Sequence, residues 1–192
     1  MEKDKIASSC KLLVIGGSAG SLEVILKLLP RLRENLDLAI AIVLHRKSGG
    51  DYALSDLLAS RTQLPVKDIE DKQPLEKGCI HVAPPDYHLL FEKDNTLSLD
   101  YSEKVNYSRP SIDVSFESAS EIFGPGLACL LLSGANADGA KGLAAVKAAG
   151  GIVIVQNPGT AESPFMPQQA ILNVDVDRVL DAKDMAAFIN SL

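Results

Sequence analysis

The chain has 192 residues, of which 46 % are hydrophobic and 23 % are charged. This length fits a single domain, residues 1–192, with ample material for a buried core, and the composition excludes a disordered or collagen-like chain. The net charge of −6, the absence of Trp and the aromatic share of 5 % argue against nucleic-acid binding, which needs a positive surface or stacking aromatics.

The sequence predicts a cytoplasmic protein without membrane insertion. No apolar run approaches the roughly 20 residues that cross a bilayer, and no apolar segment precedes a cleavage site near the N-terminus. Three cysteines do not make a disulfide framework, and Cys79 and Cys129 lie in apolar runs typical of buried thiols. Cys79, His81 and His88 are a weak zinc candidate because no second paired motif accompanies them, so no metal is expected.

Short apolar runs alternate with amphipathic segments along the chain. The predicted strands span residues 12–15, 38–44, 79–83, 88–91, 97–99, 127–132 and 152–155. The predicted helices span residues 21–32, 52–60, 112–123, 139–149 and 184–189. The polar segments 62–78 and 93–110 are expected to form loops or excursions from a sheet edge.

This alternation predicts an α/β fold: a doubly wound, mostly parallel sheet with helices on both faces. The strands predicted at 88–91 and 97–99 are separated by a break at Asn95. They therefore add an antiparallel hairpin excursion to the parallel sheet.

Three reactive side chains follow three of the predicted strands. Ser18 lies in Gly16-Gly17-Ser18-Ala19-Gly20, which matches G-x-S-x-G between a strand and a helix, with helix N–H groups behind it for an oxyanion. His45 ends the second strand, and Asp138 follows the strand at 127–132, at the start of a helix whose dipole favours a carboxylate. Since ligands of open α/β sheets bind beyond the carboxyl ends of the strands, these residues form a candidate triad.

Each of these residues also has a structural interpretation. Ser18 would cap the following helix or touch a phosphate, His45 would be a hydrogen-bonded histidine at a strand end, and Asp138 would be an N-cap. Cofactor motifs fail: G-x-G-x-x-G is broken by Ser18, G-K-[ST] is absent, and a calcium loop around Asn136 lacks its first and last ligands.

Together, these segments resemble the catalytic domain of CheB-type protein-glutamate methylesterases, the chemotaxis receptor demethylases, from about residue 12 to residue 192. The matching segments are VIGGSAG (14–20), VLH (43–45), IHVAPPDYH (80–88), SRPSIDV (108–114), LLSGANADGAKG (131–142), QN (156–157) and FMPQQA (165–170).

The resemblance implies Ser18 as nucleophile, His45 as general base and Asp138 as orienting acid. It implies hydrolysis of γ-glutamyl methyl esters on chemoreceptors with release of methanol, often with deamidation of glutamines, and no cofactor. Backbone N–H groups at the Ser18 turn and near Ala135 would form the oxyanion hole. The surrounding loops contribute the remaining candidate site residues, which are Ala19, Ala135, Asn136, His88 and Met166.

The chain departs from the family pattern in the loops. Ala135-Asn136 stands where relatives often have Met-Gly, Ala19 stands where a threonine is common, and the loop 46–50, expected to border the substrate, differs as well. His88 is expected either to be structural or to line the site. The alternatives are therefore a non-catalytic docking module of the same fold and an esterase with a non-receptor substrate.

Regulation is expected to differ from that of the chemotaxis enzymes, which usually carry an N-terminal receiver domain. The first predicted strand begins at residue 12, which leaves no room for such a domain in this sequence. A methyltransferase or a receiver protein acting in trans is a further candidate partner, beside a methyl-accepting chemoreceptor as substrate.

Overall fold

A computed structural model of the protein describes residues 10–46 and 53–192. Its strands are β1 Leu12–Gly17, β2 Ala39–Leu44, β3 Val66–Asp68, β4 Gln73–Pro74, β5 Ile80–Val82, β6 His88–Phe91, β7 Thr96–Asp100, β8 Leu127–Leu131, β9 Ile152–Gln156 and β10 Arg178–Leu180. Its α helices are α1 Ser21–Leu28, α2 Ala53–Ala59, α3 Ile112–Phe123, α4 Ala140–Ala148, α5 Phe165–Asn173 and α6 Met185–Ile189.

Seven strands form one parallel sheet in the order β10-β9-β8-β1-β2-β5-β3. β1, β2 and β8 are buried along their whole length, as expected for strands that are covered on both faces. The predicted doubly wound parallel sheet is confirmed.

Helices cover both faces of this sheet because successive side chains of each central strand point in opposite directions. Leu13 and Ile15 pack in one core with side chains of α1, α2 and α6. Leu12 and Val14 pack in a second core with side chains of α3, α4 and α5. Alternate side chains of β1 therefore contact the apolar faces of helices on opposite sides of the sheet.

The predicted hairpin is also confirmed. β6 and β7 pair antiparallel, with Leu89 opposite Leu99, and β4 joins them in a separate three-stranded sheet in the order β4-β7-β6. This small sheet packs through Leu89, Phe91 and Leu97 onto the second core. The chain leaves this small sheet at the end of β7 and continues through residues 101–110 toward α3.

Several elements differ from the prediction. α5 and β10 lie in a region where no element was predicted, and β3 and β4 lie in the segment 62–78 that was predicted as loop or edge excursion. The helix predicted over 21–32 ends at Leu28 and continues as a 3-10 turn, Leu29–Arg31, because Pro30 removes a backbone donor. Position 52, the first residue of the helix predicted at 52–60, lies outside the described residues.

Candidate active site

The switch in strand order lies between β1 and β8. From β1 the chain moves to β2 and β5 on one side of the sheet, and it later crosses to β8 on the other side. Ser18 follows β1 directly, His45 follows β2, and Asp138 lies in the loop between β8 and α4. The three residues therefore share the sheet edge at which open α/β folds bind ligands.

The Ser18 turn is tied to its surroundings by backbone hydrogen bonds. The Ser18 N–H donates to Ser133 O at 2.9 Å, and the Ser21 N–H donates to Ser18 O at 3.1 Å. Gly20 has φ 80°, a left-handed conformation that lets the chain turn directly from β1 into α1. A Cβ there would lie 2.6 Å from Glu162 Cβ, so this position has no room for a side chain.

His45 is oriented by the strand and by the acid. Its N–H donates to Gly17 O at 3.1 Å, and its Nε2 lies 2.7 Å from Asp138 Oδ2. Since Nε2 donates to the carboxylate, Nδ1 is left as the basic nitrogen, and Ser108 Oγ lies 3.5 Å from it. In the part of the chain that the structure describes, no hydrogen bond joins Ser18 Oγ to His45. Such contacts in free enzymes often tighten only when substrate is bound.

Asp138 is fully enclosed, and its side chain is 0 % exposed. Its two carboxylate oxygens have different hydrogen-bond partners. Oδ2 accepts from His45 Nε2 and the Ile112 N–H, and Oδ1 accepts from four other donors. The donors to Oδ1 are Asn106 Nδ2, Ser111 Oγ and the N–H groups of Asp113 and Gly139, at 2.9 to 3.1 Å.

These donors keep the acid charged. Burial alone would raise the pKa of Asp138, but hydrogen bonds from His45, the Ile112 N–H, Asn106 and the Asp113 N–H outweigh burial and lower it to about 2. Asp138 is therefore an ionised acceptor for the His45 ring over the physiological pH range.

The helix whose N–H groups bind the Asp138 carboxylate is α3, whereas the sequence pointed to the helix that follows Asp138. α4 begins at Ala140 with Gly139 as its N-cap, so Asp138 is not its N-cap. The carboxylate instead accepts N–H groups of Ile112 and Asp113 at the start of α3. The favourable dipole at a helix N-terminus thus acts on Asp138 from α3, whose first residue lies 26 positions before it in the chain.

The structure narrows the choice of oxyanion donors within the predicted Ser18 turn. The Ser18 N–H is engaged by Ser133 O and is not free for an oxyanion. Ala19 and Ala135 are both exposed, and within residues 10–46 and 53–192 no acceptor takes their N–H groups. These two amides flank the switch point from β1 and β8, and they are the better candidates for an oxyanion hole.

Met166 supports the loop that carries Ala135. Its side chain is fully buried, its N–H donates to Gly134 O at 2.9 Å, and the Gly134 N–H donates to Ser163 O at 3.0 Å. A Cβ on Gly134 would lie 2.4 Å from Met166 Cε. The thioether therefore packs directly on the Gly134 backbone, and a side chain at position 134 would require Met166 or the loop to shift.

The Ser133 hydroxyl joins three segments around the nucleophile. It donates to Ala19 O at 2.6 Å, lies 3.3 Å from Ser163 O, and accepts the Ser163 N–H at 2.9 Å. The turn after β1, the loop after β8 and the segment before α5 are thus held to one another at a buried residue.

Two other candidate residues have supporting positions. Asn136 Oδ1 accepts the Asp138 N–H at 3.0 Å, which forms a local turn beside the acid. His88 is buried and does not line the cleft beside His45: its Nδ1 accepts the Ser111 N–H at 3.0 Å, and its Nε2 lies 2.9 Å from Glu103 O. Its contacts therefore match the structural interpretation, because they anchor the start of α3.

A cleft of about 560 Å³ opens beside His45. Its other lining residues are Arg46, Asp86, Lys104, Tyr107, Ser108 and Arg109. Of the loop 46–50, only Arg46 is described, and its Nη2 donates to Ala83 O at 2.9 Å. Arg109 is fixed over the Tyr101 ring at 3.9 Å. A larger cavity of about 770 Å³ lies between the hairpin and α3, and none of the triad residues lines it.

Sequence reasoning missed the residues that surround Asp138. Asn106, Ser111 and Asp113 contact the acid or its neighbours, although none had been singled out as a site residue. The matching segment 108–114 contains two of them, so its agreement with the family was the available signal. Asn106 lies outside every matching segment.

Neither a membrane span nor a metal centre emerges from the described ranges. No helix there is long and apolar enough to cross a bilayer. No group of three or more His, Cys, Asp or Glu side chains there is arranged to hold a metal ion. His81 is buried in β5, where its Nε2 accepts the Glu76 N–H at 3.1 Å.

The family model described as CheB methylesterase matches residues 13–189. The chain belongs to the CheB methylesterase family. It is 43 % identical over 174 residues to a putative protein-glutamate methylesterase/protein-glutamine glutaminase of Leptospira interrogans, with 91 % of this chain and 90 % of the relative covered.

Similarity also extends to Thermotoga maritima. The protein-glutamate methylesterase/protein-glutamine glutaminase of that organism is 34 % identical over 181 residues, and the match covers 93 % of this chain but 53 % of the relative. The crystal structure of the Thermotoga maritima CheB methylesterase catalytic domain superimposes with a TM-score of 0.91 at 32 % identity, covering 95 % of this chain and 98 % of the other. The CheB fold thus extends over nearly the whole chain.

Proposed function

We propose that this CheB-family protein is a serine hydrolase that demethylates glutamate γ-methyl esters, with Ser18 as nucleophile, His45 as base and Asp138 as orienting acid. The observation that carries the proposal is the contact of 2.7 Å between His45 Nε2 and Asp138 Oδ2 at the sheet edge where Ser18 follows β1. An ionised acceptor of this kind fixes the histidine tautomer and stabilises the imidazolium that forms during attack.

In the first half-reaction, Ser18 Oγ attacks the ester carbonyl while His45 Nδ1 takes the serine proton. The carbonyl oxygen becomes an oxyanion that the N–H groups of Ala19 and Ala135 stabilise. Collapse of this intermediate breaks the ester bond, and His45 returns the proton to the leaving methoxide. Methanol departs, and a glutamyl ester of Ser18 remains.

In the second half-reaction, a water molecule replaces methanol. His45 Nδ1 takes a proton from the water as it attacks the acyl carbon, and the Ser18–acyl bond breaks. Ser18 recovers its proton from His45, and a glutamate carboxylate is released. The same steps hydrolyse a glutamine side chain with ammonia in place of methanol, which is the second activity named for the relatives from Leptospira and Thermotoga.

The proposed substrate is a chemoreceptor-type protein that carries methylated glutamates. Each turnover leaves a carboxylate, so a segment with several methylation sites becomes more acidic as it is processed. The cleft beside His45 contains Lys104 and Arg109 and a single carboxylate, Asp86, among its described lining residues. This charge distribution favours an acidic segment over a basic one.

The test is methanol release from methyl-esterified chemoreceptor membranes by the parent protein and by Ser18→Ala. Release by the parent and a loss of roughly 10³-fold or more in Ser18→Ala support the proposal. Activity of Ser18→Ala within about tenfold of the parent contradicts the role of Ser18. Absence of release by the parent, together with labelling of Ser18 by a phosphonate probe, would indicate an esterase with another substrate. Absence of both would indicate a docking module.

A further inference from the structure

The segment 101–110 between β7 and α3 ends in a tight turn beside the candidate site. Val105 and Ser108 pair through two backbone hydrogen bonds, of 3.1 and 2.9 Å. Between them, Asn106 and Tyr107 have φ of 52° and 61°. Two consecutive left-handed residues are characteristic of a type I′ turn, in which asparagine is favoured at the first position. The backbone geometry therefore explains an asparagine here, but not the contacts of its side chain.

The Asn106 side chain bridges two carboxylates. Its Nδ2 lies 2.8 Å from Asp113 Oδ2 and 2.9 Å from Asp138 Oδ1. A primary amide has two hydrogens on this nitrogen, so both are used, one for each acid. Asn106 thus joins the exposed turn to the acid that contacts His45.

The bridge opposes a repulsion between the two acids. Asp113 and Asp138 are both buried. Burial raises the pKa of Asp113, and the charge of Asp138 raises it further, while the Asn106 amide acts in the opposite direction on both groups. Without this neutral donor, the two carboxylates would face each other with less compensation for their charge.

Asn106 and His45 bind different oxygens of the Asp138 carboxylate. Asn106 binds Oδ1, whereas His45 contacts Oδ2. A donor on one oxygen resists rotation of the group and thereby fixes the direction of the other oxygen. Asn106 shares Oδ1 with the Ser111 hydroxyl and two backbone N–H groups, so loss of the amide would leave the His45 contact in place but less well directed.

We propose that Asn106 is a positioning residue, which holds Asp138 in the orientation that receives the His45 N–H. This inference rests on the proposed function, because it assigns Asn106 a part in the same hydrolysis. Among the described residues Asn106 makes no hydrogen bond to His45 or Ser18, so it acts through Asp138.

The variant Asn106→Gly tests the side chain, because glycine accepts the left-handed backbone while the CH₂–CONH₂ group is removed. Asn95→Gly is the matched control: Asn95 has φ 62° in the turn between β6 and β7, away from the triad. Loss of a hydrogen bond to a charged group predicts a fall in kcat of roughly 10- to 100-fold for Asn106→Gly, with KM within about twofold. Asn95→Gly should retain the parent kcat.

A double-mutant cycle separates positioning from general stability. In an Asp138→Asn chain, Asn106→Gly should change kcat by less than about threefold, because the group through which it acts has already been neutralised. An equal loss in both backgrounds would assign Asn106 a structural role and overturn the proposal.

A spectroscopic measurement tests the inference without turnover. The proton between His45 Nε2 and Asp138 should give a downfield resonance in the parent, which shifts or broadens in Asn106→Gly and stays in Asn95→Gly. An unchanged resonance in Asn106→Gly would overturn the inference. If the parent releases no methanol, the proposed function fails on its own test, and this resonance still decides whether Asn106 positions Asp138.

Discussion

Asp113, in the first turn of α3, and Asp138, in the loop before α4, each accept N–H groups at the start of the other's helix or neighbouring helix. Asp138, which leads into α4, accepts the Ile112 and Asp113 N–H groups at the start of α3. Asp113, in the first turn of α3, accepts the N–H groups of Gly139 and Gly142 at 2.9 and 2.6 Å at the start of α4. Free N–H groups at helix starts need acceptors, and here the acceptors are exchanged between two packed helices.

This exchange predicts that Asp138→Asn lowers stability as well as activity. An amide at position 138 would turn an –NH₂ group toward at least one backbone N–H, because main-chain donors approach both carboxylate oxygens. We expect kcat to fall by up to roughly 10⁴-fold, from loss of the correct histidine tautomer. The melting temperature should fall as well, while Ser18→Ala should retain the parent value. Thermal melts of both variants provide the check, and an unchanged melt for Asp138→Asn would contradict the double role.

Stability should depend on pH through the same carboxylate. The pKa of Asp138 is about 2 in the folded protein, below its ordinary value of 3.8. A depressed carboxyl pKa stabilises the fold above the ordinary value, and this contribution is lost as the pH falls toward the folded value. The free energy of unfolding of the parent should therefore fall between about pH 4 and pH 2, with about 2 kcal/mol attributable to Asp138.

Denaturant titrations of the parent and of Asp138→Asn at several pH values test this expectation. The stability difference between the two proteins should narrow as the pH falls, since the variant lacks the titrating group. Asp113 acts in the opposite sense, because burial and then the charge of Asp138 raise its pKa. A difference that stays constant down to about pH 2 would show that Asp138 does not titrate as stated.

The loop that carries Ala135 should depend on the packing of Met166 against Gly134. Gly134→Ala would bring a Cβ to 2.4 Å from Met166 Cε and to 3.1 Å from Met166 Cβ, so the buried Met166 side chain or the loop must shift. We expect Gly134→Ala to lower kcat by about tenfold or more. Met166→Ala alone should lower stability by about 2–5 kcal/mol through the cavity that it leaves.

Combining the two changes provides the control. In Gly134→Ala/Met166→Ala, the shortened side chain leaves room for the new Cβ, so part of the activity lost in Gly134→Ala should return. Steady-state assays with a simple methyl ester suffice for the comparison. If the double variant is no more active than Gly134→Ala, the loop is not held by this contact.

Lys104 should contribute to binding of an acidic substrate. It is exposed and lines the cleft beside His45. Lys104→Ala is expected to raise KM for a methylated acidic peptide by about 3- to 10-fold at low salt with little change in kcat, and the difference should shrink as salt is added. Lys93→Ala removes another exposed lysine, one that lines the other cavity, and it should leave KM unchanged. Equal effects of the two variants would indicate a general charge effect.

Elements with a strong apolar period were predictable from the sequence. α3 matches the predicted helix 112–123 residue for residue, because its buried side chains recur at helical spacing. β3, β4 and β10 were missed because each has only two or three residues, none of them fully buried, so none carries an apolar run. α5 was missed because Pro167 stands in its first turn, where proline is tolerated but suggests a break.

The strand ends made the positions of Ser18, His45 and Asp138 predictable, and their catalytic roles remain predictions. The partners of Asp138 were not predictable, because they arrive from a separate loop and helix. Asn106 is 32 residues from Asp138 in the chain. No local period or motif encodes a contact at that separation, and it follows only from how α3 and α4 pack.

The reciprocal hydrogen bonds of Asp113 and Asp138 at the starts of α3 and α4 also determine how an inactive form of this protein should be made. A variant intended to retain a bound partner must keep the shape of its binding surface, and changes at position 138 would loosen the start of α3, whose Ile112 and Asp113 N–H groups the carboxylate accepts. The hydroxyl of Ser18 can be removed at the end of β1 without disturbing either helix start. A substrate-trapping form for the capture of physiological partners is therefore better built at Ser18 than at the acid.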